Sequence, residues 1–218
     1  MRQGYDRSMN FRVRNVDSSE KYLINEIVRL HKKVFDGFFL STMTNSFLRT
    51  LYTSFCEHNK SVLMVAFDDE RPRAFMAYSW DTSGVYAYML KRHLISFMWN
   101  SFLAVLKKPS TILKFFRAVN MPKESERDEN YVKIFSLGVD PDCWGKGYGA
   151  MLLDELKHLV DHSEFEYITL ETDADNNEAA NRFYQKNGTR LSSVFTTPEG
   201  RRMNKYQYRK KSNESAVS

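Results

Sequence analysis

Apolar and polar residues alternate through Phe11–Val16, FRVRNV, and predict a strand. The period then changes. Leu23, Ile24, Ile27, Val28, Leu30 and Val34 recur at helical spacing and predict a helix over Glu20–Phe35, capped by Ser18 or Ser19 and broken by Gly37. A second helix is expected over Thr44–His58, with Phe47, Leu48, Leu51, Tyr52 and Phe55 on one face. Ser61–Phe67 and Arg73–Trp80 read as strands of a hairpin turned by Asp68–Pro72, DDERP. The stretch Tyr86–Asn120 is helical, aromatic and basic, divided at Pro109, and Lys123–Asn130 is a charged loop. Tyr131–Val139 is a strand and Gly145–Gly149 a glycine-rich turn. Met151–His162 is a helix with Leu152, Leu153, Leu156, Leu159 and Val160 inward. Tyr167–Thr172 is a strand, and Asn177–Lys186 a helix stopped by Asn187-Gly188. Thr189–Thr197 and Met203–Arg209 form a last strand pair joined by Pro198-Glu199-Gly200. No repeat or linker interrupts this order, so one α/β domain over residues 1–210 is expected, followed by a polar tail at 211–218.

Composition agrees with a packed core. Of 218 residues 42% are hydrophobic and 14% aromatic, which excludes a wholly disordered chain, a collagen-like one and a disulfide scaffold. The formal net charge of +5 is mild, and Lys and Arg are spread along the chain without a basic helix, so nucleic acid is not an expected partner. Cys56 and Cys143 give neither a disulfide framework nor a metal pattern, and a reducing, cytoplasmic setting is the default. The N-terminal residues lack the apolar core of a signal peptide. The most apolar stretch, Leu94–Leu106, falls short of the roughly 20 residues that a bilayer requires, so no stable membrane insertion is expected.

Chemistry concentrates in Val139–Ala150, VDPDCWGKGYGA, where a strand passes through a short turn into a helix. Glycines let backbone amides approach a ligand, and a helix start adds unpaired N–H groups and a positive dipole end, so the turn suits a pyrophosphate. It is not a P-loop, because Gly147 follows Gly145-Lys146 and Asp140 stands where the first glycine belongs. It is not a dinucleotide fingerprint, because the third glycine spacing is wrong.

The run Trp144-Gly145-Lys146-Gly147-Tyr148-Gly149, followed by Ala150, resembles the Arg/Gln-x-x-Gly-x-Gly/Ala motif of the GNAT family of acetyl-CoA-dependent N-acetyltransferases. Trp144 stands where that family has Arg or Gln, so side-chain help to the pyrophosphate is lost there and Lys146 offers a charge instead. The strand before it, Phe135-Ser136-Leu137-Gly138-Val139, is similar to the family's splayed strand. By that likeness the backbone of Leu137 and Val139, flanking Gly138, pairs with pantetheine and points an amide at the acetyl carbonyl. A second likeness lies downstream, where Asn177, Ala180, Phe183, Tyr184, Lys186 and Gly188 match the family's N-x-x-A-x-x-F-Y-x-K-x-G segment and Thr189 replaces its next Phe. The resemblance covers about 132–208. It implies an α+β fold with a central, mixed, mostly antiparallel twisted sheet, splayed at the cofactor strand and flanked by helices, with a helical insert at about 86–120.

Direct acyl transfer needs a group to take the amine proton, a donor to the oxyanion and a proton for the leaving sulfur. The resemblance places Tyr184 as the acid and Asn177 at pantetheine or as a helix cap. For the base, Glu171 at the end of its strand is the candidate, with Asp173, Asp175 or a water relay as alternatives. His31, His58 and His93 read as surface groups, Cys143 as packing, and no residue cluster has metal spacing. The expected co-substrate is acetyl-CoA, the acceptor a primary amine, and the protein a monomer or homodimer. Phe35–Phe55 and the insert, with Tyr86, Tyr88, Phe97, Trp99 and Phe102, are expected to flank the acceptor. The C-terminal Gly200–Tyr206 run is similar to family members from surface-polysaccharide gene sets, which points to a nucleotide-linked amino sugar. A protein N-terminus or lysine, a polyamine and an aminoglycoside are the rival acceptors, and a silent acyl-CoA-binding or sensor domain is the rival function.

Overall fold

The computed structural model describes residues 11–89, 91 and 130–210. Seven strands form one sheet in the order β1-β2-β3-β4-β5-β7-β6. They are β1 (Phe11–Asn15), β2 (Ser61–Asp68), β3 (Arg71–Ser79), β4 (Tyr131–Val139), β5 (Tyr167–Asp173), β6 (Arg190–Thr196) and β7 (Arg202–Arg209). Every neighbouring pair is antiparallel except β4 with β5. The helices are α1 (Lys21–Val34), α2 (Asn45–Glu57), a helical stretch α3 over 82–89, α4 (Tyr148–Asp161) and α5 (Glu178–Lys186).

The periodicities explain the two faces. The apolar stripes of α1 and α2 close over Leu63, Val65, Phe67, Phe75 and Ala77, the residues that alternate onto one side of β2 and β3. Met64, Ala66, Ala74, Met76 and Tyr78 point to the opposite side, where α4 and Tyr184 of α5 cover them. Thr44 caps α2 by accepting a hydrogen bond from the Phe47 amide at 3.1 Å.

Several sequence expectations change. Neither Ser18 nor Ser19 caps α1: Glu20 holds the cap position without a side-chain bond to the helix, its carboxylate accepting from Arg14 and the Asp17 amide, while Asp17 takes both the Ser19 amide and hydroxyl. The hairpin turn is shorter than Asp68–Pro72. Asp68 pairs with Arg71 and Phe67 with Pro72, a register slip at Ala66/Phe67 absorbing the difference. Helix α4 begins at Tyr148 rather than Met151, and α3 begins before Tyr86. His31 is not a surface group; it is 2% exposed, inside the α1–α2 side of the core. The remainder of the 86–120 insert, with Phe97, Trp99, Phe102 and His93, lies outside the described residues, as do most of the charged loop and the 211–218 tail.

Candidate active site

The sheet opens in its middle. Strands β4 and β5 pair only from Tyr131–Ile134 against Tyr167–Leu170. Beyond that point β4 stays on β3 and β5 stays on β7, so a gap runs between Phe135–Val139 and Glu171–Asp173. A bulge starts it: Ser136 pairs with Ala77 and Ile134 with Tyr78, leaving Phe135 unmatched.

Strand register tells which backbone groups face the gap. The Asp140 amide donates to the Arg73 carbonyl at 2.7 Å, and Val139 is opposite Ala74. Bonded and non-bonded residues alternate along an antiparallel pair, so Val139 and Leu137 turn their N–H and C=O away from β3, into the gap. One of these is engaged: the Trp144 indole N–H donates to the Val139 carbonyl at 3.1 Å, while its ring remains 65% exposed.

The glycine turn follows at the end of β4. Asp140 anchors it, accepting from the Asp142 amide at 3.2 Å and from Lys33 Nζ of α1 at 2.7 Å. These contacts hold the Asp140 carboxyl below its ordinary range, against burial that acts to raise it. Gly145 and Gly147 have φ of +78° and +92°, the left-handed region that side chains disfavour. The amides of Trp144 and Lys146 bond within the turn, and the first bond of α4 runs from Met151 to the Gly147 carbonyl. The amides of Tyr148, Gly149 and Ala150 therefore lie ahead of the helical ladder, at a helix start with no acidic residue in its first turn. This is the geometry of an anion site, and the orphaned amides fit a pyrophosphate. The Tyr148 ring itself is buried edge-on against Phe11, so only its backbone is free to serve the turn. Lys146 is exposed.

Two glycines permit close packing. A Cβ on Gly149 would lie 3.0 Å from Val139 Cγ2 and 3.2 Å from Phe183 Cζ, so α4 approaches β4 and α5 only without one. A Cβ on Gly138 would lie 2.7 Å from Phe75 Cε1. Gly138→Ala is therefore expected to destabilise by about 1–3 kcal/mol, as overpacking does. Melting curves should show a fall of a few degrees; an unchanged melting temperature would mean that Phe75 moves aside freely.

On the α4 face, Tyr184 packs between Phe183 and Tyr206 in the cluster that Leu137 and Val139 adjoin. Burial pushes its phenol well above the ordinary value, and no described residue is hydrogen-bonded to its hydroxyl. Asn177 stands at the start of α5 but does not cap it; its Nδ2 donates to Thr172 Oγ1 at 2.7 Å, tying α5 to the end of β5. Ala180 packs beside the same cluster. Asn181, which no motif singled out, is the hub here: its Nδ2 donates to the Asp173 and Asn177 carbonyls, and its Oδ1 accepts from Tyr206 and Asn204.

On the opposite face, Glu171 is the first residue of β5 past the paired segment. Its Oε1 is 3.2 Å from Lys133 Nζ, and both side chains are mostly buried. Asp173 is held by a two-pronged contact from Arg201, and Asp175 by Arg202 at 2.9 Å. Asp36, Gly37 and Phe38 of the loop after α1 join Asp173 and Arg201 around an opening of about 460 Å³. The expected site residues therefore divide. Trp144–Ala150, Leu137, Val139, Asn177, Ala180 and Tyr184 gather on one side of the gap, and Glu171 looks out on the other. Asp173 is an alternative base in the sequence, but neither Lys133 beside Glu171 nor the Arg201–Asp173 pairing has a signal there, since nothing local joins residues so far apart along the chain. Among the described residues no group of three or more His, Cys, Asp and Glu is placed to hold a metal, and no helix is long and apolar enough to cross a membrane.

The Acetyltransferase (GNAT) family model matches residues 26–189. Among solved structures, the ribosomal-protein-S18-alanine N-acetyltransferase from Escherichia coli superimposes with a TM-score of 0.56 at 11% identity, over 95% of this chain and 99% of that one. The yncA protein from Salmonella typhimurium, solved with its cofactor acetyl-CoA, gives 0.56 at 12% identity over 95% and 98%. An N-acetyltransferase from Staphylococcus aureus Mu50 gives 0.58 at 13% identity over 92% and 98%. No curated protein sequence matches the chain.

Proposed function

The chain belongs to the GNAT acetyltransferase family, and on that premise we propose that it transfers acetyl from acetyl-CoA to a peptide amine, at an N-terminus or a lysine. It is an acetyl-CoA-dependent acyltransferase of that family. Acetyl-CoA supplies the acetyl group as a thioester. In this reading the glycine turn Trp144–Gly149 shapes the site and the free amides of Tyr148, Gly149 and Ala150 hold the pyrophosphate, with the Lys146 side chain adding charge. The backbone of Leu137 and Val139, kept slim by Gly138, lines the pantetheine arm, and Asn177 and Ala180 bound it on the α5 side. Tyr184, kept protonated by burial, gives a proton to the leaving sulfur. Glu171 takes one from the amine, held in place by the Lys133 ammonium beside it. The two free cysteines and the nature of the co-substrate support a cytoplasmic setting.

The acceptor class rests on the opening around Asp36 and Asp173. A nucleotide-linked amino sugar would call for free cations to meet a second pyrophosphate. The arginine that lines this opening, Arg201, is engaged with Asp173 instead, and its neighbour Arg202 with Asp175, while Asp36 is exposed beside Phe38. A shallow, carboxylate-bearing mouth with an aromatic ring suits a cationic peptide. The S18-alanine enzyme offers a fold precedent for a protein amine. The test is a panel of basic peptides, polyamines and nucleotide-linked amino sugars, read as released CoA thiol. Peptides are expected to turn over best, and Asp36→Asn to raise their KM about three- to tenfold, the scale of one lost charge contact. Preferred turnover of a sugar nucleotide overturns the acceptor class; silence with every amine overturns the enzyme at this site.

A further inference from the structure

An exposed tryptophan beside a ligand site asks for a reason, because an indole left in water forfeits the burial that stabilises such a side chain elsewhere. Trp144 joins neither apolar cluster, and its ring stacks on no aromatic side chain among the described residues. The side chain is fixed at its polar tip instead, where Nε1–H donates to the Val139 carbonyl at 3.1 Å. The backbone at Trp144 is extended, with φ −61° and ψ 142°, a conformation open to any residue. Strain therefore does not hold the indole there.

The acceptor is a group with another use. Asp140 bonds to Arg73 across the β3–β4 pair, so Val139, the next residue back, turns its N–H and C=O away from β3. The β4–β5 pairing has already ended at Ile134, and no strand meets Val139 on that side. A half-buried carbonyl that has lost its ladder partner needs a donor. In the free protein the donor is the Trp144 indole. When acetyl-CoA is bound it is an amide of the pantetheine arm, which lies along the same backbone. Two donors thus claim one oxygen. A carbonyl has two lone pairs, but the bicyclic ring bonded to this one fills the approach from the gap.

We propose that Trp144 latches the cofactor channel: its indole N–H holds the Val139 carbonyl in the free protein, and the pantetheine arm of acetyl-CoA displaces it. This rests on the acetyl-CoA reading of the gap. The exchange replaces one donor by another at the same oxygen, and the released indole N–H passes to water, where most of the ring already lies. Acetyl-CoA binds only the unlatched protein, so its apparent affinity is lowered by the fraction that is latched. The latch also sorts ligands. The nucleotide end of CoA reaches the amides of Tyr148–Ala150 without disturbing it, and only a ligand that carries the arm must open it.

Calorimetry on the full chain compares acetyl-CoA with phosphoadenosine diphosphate, the nucleotide end of CoA without the arm. Trp144→Phe keeps an aromatic ring and removes the donor. It is expected to tighten acetyl-CoA binding about three- to tenfold, the scale of one hydrogen bond, and to change nucleotide affinity less than twofold. The ring supports no core cluster, so the variant should melt with the wild type. In nitrogen-labelled wild-type protein, the Trp144 indole N–H resonance, identified by its absence from Trp144→Phe, should move upfield when acetyl-CoA binds and stay in place when the nucleotide binds. Unchanged or weaker acetyl-CoA binding in Trp144→Phe overturns the proposal, as does an indole resonance that acetyl-CoA leaves unmoved. Weaker binding of both ligands also overturns it, and makes Trp144 a wall for the nucleotide. A wild-type protein that does not bind acetyl-CoA overturns the site reading instead, a separate result.

Discussion

Gly147→Val is expected to remove most of the thermal stabilisation that acetyl-CoA confers. At a hundred times its Kd a ligand that binds only the folded state adds about 2.7 kcal/mol, which for a protein of this size is a rise of several degrees. Gly147 is the residue on which the glycine turn becomes a helix, at φ +92° and ψ −6°. A side chain costs roughly 1–2 kcal/mol in that region, and a β-branched one more. The chain relieves the strain by rotating the peptide units on either side, which carry the amides of Gly147 and Tyr148. The free protein should also melt a few degrees lower, because the strain sits next to Tyr148, which is part of the core. The ligand-induced rise should fall below a third of its wild-type size, since the amides no longer converge. A full rise in Gly147→Val would show that the turn is not where the pyrophosphate is held.

Tyr184→Phe is expected to have the largest effect on rate. The ring packs between Phe183 and Tyr206, and phenylalanine keeps that packing. The hydroxyl has no partner among the described residues, so its loss leaves no polar group unsatisfied and the melting temperature should hold or rise slightly. General acid catalysis contributes about 10²–10⁴ in rate, so kcat should fall by that factor with acetyl-CoA affinity unaltered. Burial raises the phenol's pKa, which places loss of the acid form at the far alkaline end. The wild-type rate should therefore show no Tyr184 limb through neutral pH. A variant that turns over at the wild-type rate dismisses Tyr184 as the acid and leaves solvent to protonate the sulfur.

Local chemistry accounts for what could be seen early. The glycine turn is legible because positive φ and unpaired helix-start amides are set within a few residues, and Gly145 and Gly147 show those angles. The α1 and α2 stripes are legible because helical period and burial coincide. The sequence pattern starts helix α4 late because its first turn, Tyr148–Ala150, carries glycine and looks like loop. Asn177 suits a cap by type and position, and pantetheine by resemblance, yet Thr172 at the end of β5 takes its side-chain amide. His31 reads as a surface group in the sequence because a lone histidine has no partner there; Tyr52, which holds it, is on the next helix.

The sequence by itself determined a strand–glycine turn–helix able to hold an anion, a second helix bearing Tyr184, and the alternation that puts apolar residues on both faces of a sheet. These depend on periods and φ preferences that act over one to four residues. Only the tertiary structure decided where the sheet opens. That required the bulge at Phe135, the end of β4–β5 pairing at Ile134 and Leu170, and the insertion of β7 beside β5. It also decided that Glu171 meets Lys133, that Arg201 closes on Asp173 and that Tyr52 meets His31 in the core. Register and cross-strand partners are set by which of many distant segments pack together, and no local pattern carries that information.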